Sequence, residues 1–135
     1  MNMNQSSQPA RTAEGPLILI VDDSPTDLHI MKKALEGHGF RTLLAKDGAE
    51  GIRLARQVHP SLILMDIVMP GVNGYQATRA LRADPETSGI PIVMVTYKGQ
   101  QTDRIWGLRQ GAVDYVVKPL SGPELVQKAQ AALAA

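Results

Sequence analysis

The sequence is a regular alternation of short aliphatic runs and longer amphipathic segments. Five runs of four to six residues follow one another along the chain: 17–21, 40–45, 62–65, 91–95 and 113–117. Continuous apolar runs of this length are typical of strands buried on both faces, and the segments between them carry apolar residues at helical spacing. Five strand–helix units in strict alternation predict an α/β fold, a doubly wound parallel sheet with helices on both faces.

Turn and capping residues place the helices between these strands. Ser24 followed by Pro25 is a typical helix start, and Gly37 or Gly39 is a typical end. The remaining helices are predicted over 49–58, 74–83, 99–109 and 123–133. The apolar residues expected to face the core are Leu28, Met31, Ala34 and Leu35 in the first helix, Ile52, Leu54, Ala55 and Val58 in the second, and Ile105 and Leu108 in the fourth.

Composition limits the kinds of protein that this chain can be. A chain of 135 residues with 44% hydrophobic and 20% charged residues suits one globular domain with its own core. The formal net charge of +1 offers no bulk attraction for nucleic acid or anionic membranes, so neither is expected as a partner. The absence of cysteine excludes disulfides and thiolate metal sites, and it agrees with a cytoplasmic location.

The N-terminal stretch MNMNQSSQPARTAEG differs from the rest of the chain because its residues are polar and small. It lacks the apolar core of a signal peptide. Its composition predicts a disordered tail over residues 1–15, followed by a single domain over 16–135. No apolar run approaches the roughly 20 residues that a bilayer-spanning helix needs, so no membrane insertion is expected.

The conspicuous polar residues stand where the predicted strands end. Asp22 and Asp23 close the first strand, Asp66 the third, Thr96 the fourth and Lys118 the fifth. Because the carboxyl ends of parallel strands meet at one edge of a sheet, we expect these side chains to converge there. Of these residues, Asp66 most needs a neutralising partner. It interrupts the apolar run LILMDIVM, and an unpaired buried charge is costly.

The residue types at this edge favour one chemistry. Three carboxylates repel one another unless a cation neutralises them, and Mg²⁺ suits oxygen ligands with no histidine or thiol nearby. Beside an ammonium, Asp66 is suited to act as a nucleophile towards phosphorus, with Lys118 and the Thr96 hydroxyl stabilising the phosphoryl oxygens. Each residue alone has an ordinary explanation as a turn residue, strand end or surface lysine. Only their convergence favours a site.

The same stretches resemble the receiver domain of two-component response regulators. ILIVDDS, LILMDIVMPGVNG, IPIVMVT and DYVVKP occur in the order and at the spacing of that family. The resemblance covers Leu17 to about Leu133. It implies a flavodoxin-like fold, with five helices around a five-stranded parallel sheet of strand order 2-1-3-4-5.

The resemblance also assigns roles to residues. It implies that Asp66 receives a phosphoryl group from the phosphohistidine of a histidine kinase. It implies that Lys118, joined to Pro119 by a cis peptide bond, contacts the phosphoryl oxygens. The protein would then be a phosphoacceptor that loses its phosphoryl group slowly, rather than an enzyme acting on free substrates. The implied cofactor is Mg²⁺, with ligands Asp22 (mainly through water), Asp23, Asp66 and the Val68 backbone carbonyl.

A conformational switch is implied as well. Thr96 would move to hydrogen-bond the phosphoryl group, Tyr115 would change rotamer with it, and the surface of helix four, strand five and helix five would contact a downstream protein. Trp106 lies on that fourth helix, where partial core burial and a partner contact are both open interpretations. Tyr97, followed by Lys98, departs from the family, in which the residue after the threonine is commonly small. A bulky ring there is expected to narrow access for a phosphodonor.

Within the family, DIVMPGVNGYQATR, ETSGIPIVMVT and DRIWGLRQGAVDYVVKP resemble stand-alone receivers that control type IV pilus twitching motility through a chemosensory kinase. This resemblance implies a monomer or weak dimer whose output is a protein contact. One alternative is a sink that drains phosphate from a sister receiver. Another is an interaction module independent of phosphorylation, which Tyr97 favours. A third is an aspartyl-phosphate hydrolase, which usually carries a second acid where this chain has Val68.

Overall fold

The structure, a computed structural model, describes residues 15–135. Within that range five strands and five helices alternate strictly, as predicted. None of these helices is long and apolar enough to cross a membrane. The tail predicted over residues 1–15 lies, apart from Gly15, outside the described residues. The elements are β1 (Leu17–Val21), α1 (Pro25–Glu36), β2 (Arg41–Ala45), α2 (Gly48–Val58), β3 (Leu62–Met65), α3 (Gly74–Ala83), β4 (Ile92–Thr96), α4 (Gln101–Gln110), β5 (Asp114–Val117) and α5 (Gly122–Ala134).

The strands form one parallel sheet in the order β2-β1-β3-β4-β5, which confirms the predicted topology. Because β1 lies between β2 and β3, the direction of winding reverses between β1 and β3, and ligands of such sheets bind at that point. The register brings the strand ends level, with Val21 opposite both Ala45 and Met65, and Thr96 opposite Val117. The residues after these positions therefore leave the sheet at one edge.

Alternate residues of the strands enter two separate cores. Ile18 and Ile20 of β1 pack with residues of α1 and α5 on one face of the sheet. Leu19 and Val21 pack with residues of α2 and α3 on the other face. Since helices cover both faces, every residue of such a strand can be apolar, which explains the unbroken runs in the sequence.

Side-chain caps start four of the helices. Ser24, Asp47, Asn73 and Ser121 each accept a hydrogen bond from the backbone N–H three residues further on. The predicted start of α1 after Ser24 is confirmed, and α2 begins one residue before its predicted start. Because each of these helices follows a strand, all four N-termini lie at the carboxyl edge of the sheet.

The predicted inward face of α4 is wrong. Ile105 and Leu108 are 45% and 39% exposed, and Gly107 is the buried residue of this helix. The ring of Tyr115 occupies the space beneath the helix, so closely that a Cβ at Gly107 would lie 2.9 Å from Tyr115 Cδ2. With the glycine turned inward, helical geometry directs the neighbouring apolar residues away from the sheet. Trp106, also 45% exposed, lies on the same outer surface.

In α2 the core-facing prediction holds for three residues and fails for one. Ala55 is fully buried, and Ile52 and Leu54 are partly buried against the same core. Val58 is 41% exposed, because it is the last residue of the helix before His59 turns the chain in the left-handed conformation. In α1 all four predicted residues pack into the core, with Ala34 at its border.

Candidate functional site

Three carboxylates meet at the carboxyl edge of the sheet. Asp22, Asp23 and Asp66 each offer a carboxylate oxygen, and these oxygens lie within 4.8 Å of one another. Asp22 is fully buried and Asp66 is 7% exposed, whereas Asp23 is exposed to solvent. The structure thus brings together the three acids that the sequence placed at the ends of β1 and β3.

Backbone hydrogen bonds hold two of these acids in place. The Asp22 N–H donates to the Ala45 carbonyl at 3.0 Å, and the Asp66 N–H donates to the Val21 carbonyl at 2.9 Å. Both residues therefore continue the sheet by one position. Asp66 Oδ1 also accepts from the Ile67 N–H at 2.7 Å, which fixes the orientation of the carboxylate. A side chain at Gly74 would collide with the Asp66 carbonyl oxygen, so only glycine lets α3 start this close to Asp66.

Lys118 is a buried cation beside the acids. Its Nζ lies 2.5 Å from Asp22 Oδ2, 2.8 Å from Asp27 Oδ2 and 3.6 Å from Asp66 Oδ2. Burial by itself lowers the pKa of Lys118, but the hydrogen bonds to Asp22 and Asp27 and the charge of Asp66 together raise it above its ordinary value. Burial raises the pKa of Asp22, and the bond from Lys118 offsets only part of that rise. The peptide bond between Lys118 and Pro119 is cis, as expected.

Tyr97 lies at the mouth of the cleft. Its ring centroid is 5.0 Å from Lys118 Nζ, within the range of a cation–π contact, and the residue is 61% exposed. The cleft between the acids and this ring is lined further by Thr96 and by Val68, which is also 61% exposed. Tyr97, the residue that departs from the family pattern, therefore contacts the lysine directly.

Thr96 and Tyr115 lie on opposite sides of one short loop. The Thr96 hydroxyl accepts from the Lys98 N–H at 3.3 Å, and the Tyr115 hydroxyl donates to the Lys98 carbonyl at 2.6 Å. Tyr115 is buried, which raises its pKa above the usual value for a phenol. A movement of Lys98 would change both contacts, so the two residues are linked through its backbone.

Sequence reasoning missed Asp27. It lies in the first turn of α1, and it shares Lys118 with Asp22. An acid in the first turn of a helix has an ordinary explanation, because negative charge is favourable near a helix N-terminus. Its partner, however, is 91 residues away in the sequence, and nothing local points to it.

The three clustered acids suit a hard divalent cation. Mg²⁺ prefers oxygen ligands in octahedral geometry and keeps several waters, so a few carboxylates around a solvent-facing cleft suffice. The exposed position of Asp23 leaves room for such waters. Among residues 15–135, Asp22, Asp23 and Asp66 therefore form a group able to hold a metal, with Val68 at the rim of the same cleft.

Comparison with known proteins assigns the family. The model of the response regulator receiver domain matches residues 18–130. This chain belongs to the receiver domain family. Receiver domains accept phosphoryl groups from histidine kinases, and the fold and family predicted from the sequence are both confirmed.

The relatives with assigned names differ in how much of their length this chain matches. The chain is 54% identical over 117 residues to protein PilH of Pseudomonas aeruginosa, covering 87% of this chain and 97% of that protein. It is 43% identical over 116 residues to the DNA-binding response regulator MtrA of Mycolicibacterium smegmatis, covering 86% of this chain but 50% of that protein. The similarity to MtrA is therefore confined to half of that protein's length.

Solved structures agree with this assignment. The receiver domain of a sensor histidine kinase from Pseudomonas aeruginosa, which holds a magnesium ion in its active-site cleft, matches with a TM-score of 0.84 and 34% identity. That match covers 90% of this chain and 99% of the other. The chemotaxis protein CheY4 of Vibrio cholerae matches with a TM-score of 0.83 and 26% identity, covering 87% and 98% of the two chains.

Proposed function

We propose that this protein is a response regulator that accepts a phosphoryl group on Asp66, with Mg²⁺ bound, and passes the change to a downstream protein by contact. The observation that carries the proposal is the grouping of the Asp66 carboxylate with Asp22, Asp23 and the Lys118 ammonium in one cleft. A nucleophile, a cation and anionic metal ligands within a few ångströms are what phosphoryl transfer to a carboxylate requires.

The transfer is a displacement at phosphorus. An Asp66 carboxylate oxygen forms the new P–O bond as the P–N bond to the donor's imidazole breaks. The electron pair of that bond stays on the imidazole nitrogen, which takes up a proton from solvent. Lys118 meets the charge on the phosphoryl oxygens. The Thr96 hydroxyl accepts from the Lys98 N–H, so its own proton remains available to donate to a phosphoryl oxygen.

Asp22, Asp23, Asp66 and the Val68 backbone carbonyl would hold Mg²⁺ in this site. When bound, the ion supplies positive charge that offsets repulsion between the carboxylates and the incoming phosphoryl oxygens. The mutual proximity of the three carboxylate oxygens supports this assignment. So does the magnesium ion in the cleft of the related Pseudomonas receiver.

Output through the surface of α4, β5 and α5 follows from the same geometry. Phosphorylation replaces the single negative charge of the Asp66 carboxylate with a phosphoryl group of about −1.5 to −2 charge in the cleft that Thr96 lines. Drawing the threonine hydroxyl towards that charge disturbs the Lys98 segment, which also anchors the Tyr115 hydroxyl. Tyr115, which is buried beneath α4, then changes rotamer, and the exposed Trp106 of that helix shifts on the surface to which a partner protein binds.

The 54% identity to PilH supports a place in chemosensory control of twitching motility. In that setting the protein works in the cytoplasm as a monomer or weak dimer, and takes its phosphoryl group from the kinase of the pathway. Its partners are the kinase and a downstream protein rather than nucleic acid. The net charge of +1 supports this restriction.

The test is phosphorylation in the presence of Mg²⁺ with acetyl phosphate or a phosphorylated kinase, followed by intact-mass measurement. The expected result is the mass of one added phosphoryl group, which is absent from Asp66→Asn and present in Glu86→Gln, a charge removal at an exposed position in the loop between α3 and β4. No labelling under any donor would refute the proposal. Turnover of unrelated phosphate esters would indicate the hydrolase instead.

A phosphate sink and a phosphorylation-independent module are the remaining alternatives. A phosphate sink would use the same site. It would be identified if adding this protein made a phosphorylated sister receiver lose its label faster. The exposed ring of Tyr97 over Lys118 is the observation that favours the second. Partner binding that is equal for the wild type and Asp66→Asn, with and without phosphodonor, would support that module.

A further inference from the structure

Asp27 is an acidic residue in the cleft that the proposed chemistry does not use. It is the third residue of α1, and its side chain is 18% exposed. Its Oδ2 accepts a hydrogen bond from Lys118 Nζ at 2.8 Å. It is not one of the three acids whose oxygens cluster within 4.8 Å. Lys118 is therefore its contact with the residues of the proposed chemistry.

The position of Lys118 reflects this contact. Of its three N–H groups, one donates to Asp22 and one to Asp27, whereas Asp66 Oδ2 lies 3.6 Å away, beyond a good hydrogen bond. The ring of Tyr97, 5.0 Å from Nζ, adds a further contact to the ammonium. The closest contacts of the Lys118 ammonium are therefore with groups other than the Asp66 carboxylate.

We propose that Asp27 is a positioning residue that retains Lys118 in the unphosphorylated protein and competes with the phosphoryl group for it. The proposal rests on the proposed phosphorylation of Asp66. An interaction made before transfer and weakened after it stabilises the starting state alone, so it slows phosphorylation and weakens binding of a phosphoryl mimic. Asp27 in this way lowers both the rate of phosphorylation of Asp66 and the affinity of the site for a phosphoryl mimic.

The experiment compares Asp27→Asn with Glu124→Gln. Glu124 has the same third position in α5 that Asp27 has in α1, and its hydrogen bonds are with Ser121. Glu124→Gln therefore removes an equal charge from an equivalent helix terminus at the same edge of the sheet. Asp27→Glu, which keeps the charge, is a second comparison.

Binding of beryllofluoride, a phosphoryl mimic, is measured by NMR titration with Mg²⁺, together with initial rates of labelling by acetyl phosphate. Loss of one charge-assisted hydrogen bond in a partly exposed pair should tighten mimic binding and speed labelling about three- to tenfold in Asp27→Asn. Glu124→Gln should match the wild type. Unchanged or weaker binding in Asp27→Asn, or the same gain in Glu124→Gln, would overturn the proposal.

A second measurement separates positioning from a general effect of charge. In a Lys118→Met background the Asp27→Asn effect should vanish if it acts through the lysine, and a persisting gain would contradict the proposal. If the double variant unfolds, the exchange rate of the Lys118 ammonium protons in Asp27→Asn serves instead. Exchange should accelerate when the Asp27 bond is lost, and equal exchange rates would count against the role. Wild-type protein that binds no mimic and takes no label would refute the phosphoacceptor proposal itself, a result distinct from all of these.

Discussion

The helices α1 and α4 are attached to the sheet in different ways. α1 buries Leu28, Met31 and Leu35 in the core beneath it, whereas α4 buries only Gly107 among its residues. What holds α4 is mostly polar, such as the Arg104 guanidinium donating to the Tyr115 carbonyl at 2.9 Å. Exposed polar contacts contribute less than apolar burial. α1 is therefore a rigid support for the residues of the site, whereas α4 is able to move when the site changes.

Further links of α4 have the same character. The Tyr75 hydroxyl of α3 donates to the Asp103 carbonyl at 3.2 Å, and Lys98 Nζ lies 3.6 Å from the Asp103 carboxylate. Both contacts adjoin the Lys98 segment that joins Thr96 to Tyr115. Elements with few buried apolar contacts open at low free energy, so α4 is well placed to shift when the cleft changes.

The largest effect is expected from emptying the core under α1. Leu35 is fully buried, and Leu35→Ala should lower the free energy of unfolding by about 2–5 kcal/mol through lost burial and the cavity left behind. Urea denaturation measures this change. Ile30→Ala, on the same helix but 55% exposed, should stay within about 0.5 kcal/mol of the wild type. Equal losses in both variants would contradict the role given to α1.

A smaller effect is expected where α4 touches the sheet. In Gly107→Ala the new Cβ would meet the Tyr115 ring at 2.9 Å, so the helix or the ring must shift. We expect a loss of about 1–3 kcal/mol, reduced in part because alanine favours helices more than glycine does. A change in Trp106 fluorescence should accompany it. Ile105→Ala, at an exposed position, is the control and should have little effect on stability. A Gly107→Ala variant with wild-type stability and unchanged fluorescence would show that Gly107 does not pack tightly against Tyr115.

The next effect concerns the hydroxyl that joins β5 to the loop after β4. Tyr115→Phe removes the donor to the Lys98 carbonyl, which is 2.6 Å away. The expected loss is about 1 kcal/mol, with faster amide hydrogen exchange in α4 than in α1. Tyr97→Phe, which alters a hydroxyl on a residue 61% exposed, should leave both measurements unchanged. If Tyr115→Phe accelerated amide exchange equally in α1 and α4, the weaker attachment of α4 would be contradicted.

The smallest effect tests a polar contact at the end of α1. The Thr42 hydroxyl, and then the Lys32 ammonium, hold the pKa of Glu36 below its ordinary value. A lowered folded-state pKa stabilises the protein above the unfolded pKa, and that gain is lost as the pH falls through the folded-state value. Wild type should therefore be slightly more stable than Glu36→Gln at neutral pH. The difference should disappear well below pH ~4. A difference that grows on acidification would reverse the sign and reject the contact.

Much of the site could be read from the sequence because it is encoded at strand ends. Asp22 and Asp66 directly follow apolar runs, and Lys118 follows the fifth. Parallel strands in register then bring those positions to one edge, as the pairing of Val21 with Met65 shows. Local pattern and a general rule of sheet geometry were enough here.

The orientation of α4 could not be read in this way. The spacing of Ile105 and Leu108 predicts an apolar face, but the ring of Tyr115 from the adjacent strand fills the space that this face would occupy. Helical periodicity reports which residues share a face, not which face the neighbouring element can accept. The burial of Gly107 is decided by that neighbour.

Local sequence encodes the alternation of strands and helices, the helix caps and the edge at which the polar residues lie, because each depends on residues close together in the chain. Packing between elements sets two further features: which residue of α4 faces the sheet, and the contact between Asp27 and Lys118. The first depends on the ring of Tyr115 in the adjacent strand, and the second joins two residues that are 91 positions apart in the sequence. Local periodicity does not predict contacts between side chains of different elements, because these contacts form only when the whole chain packs.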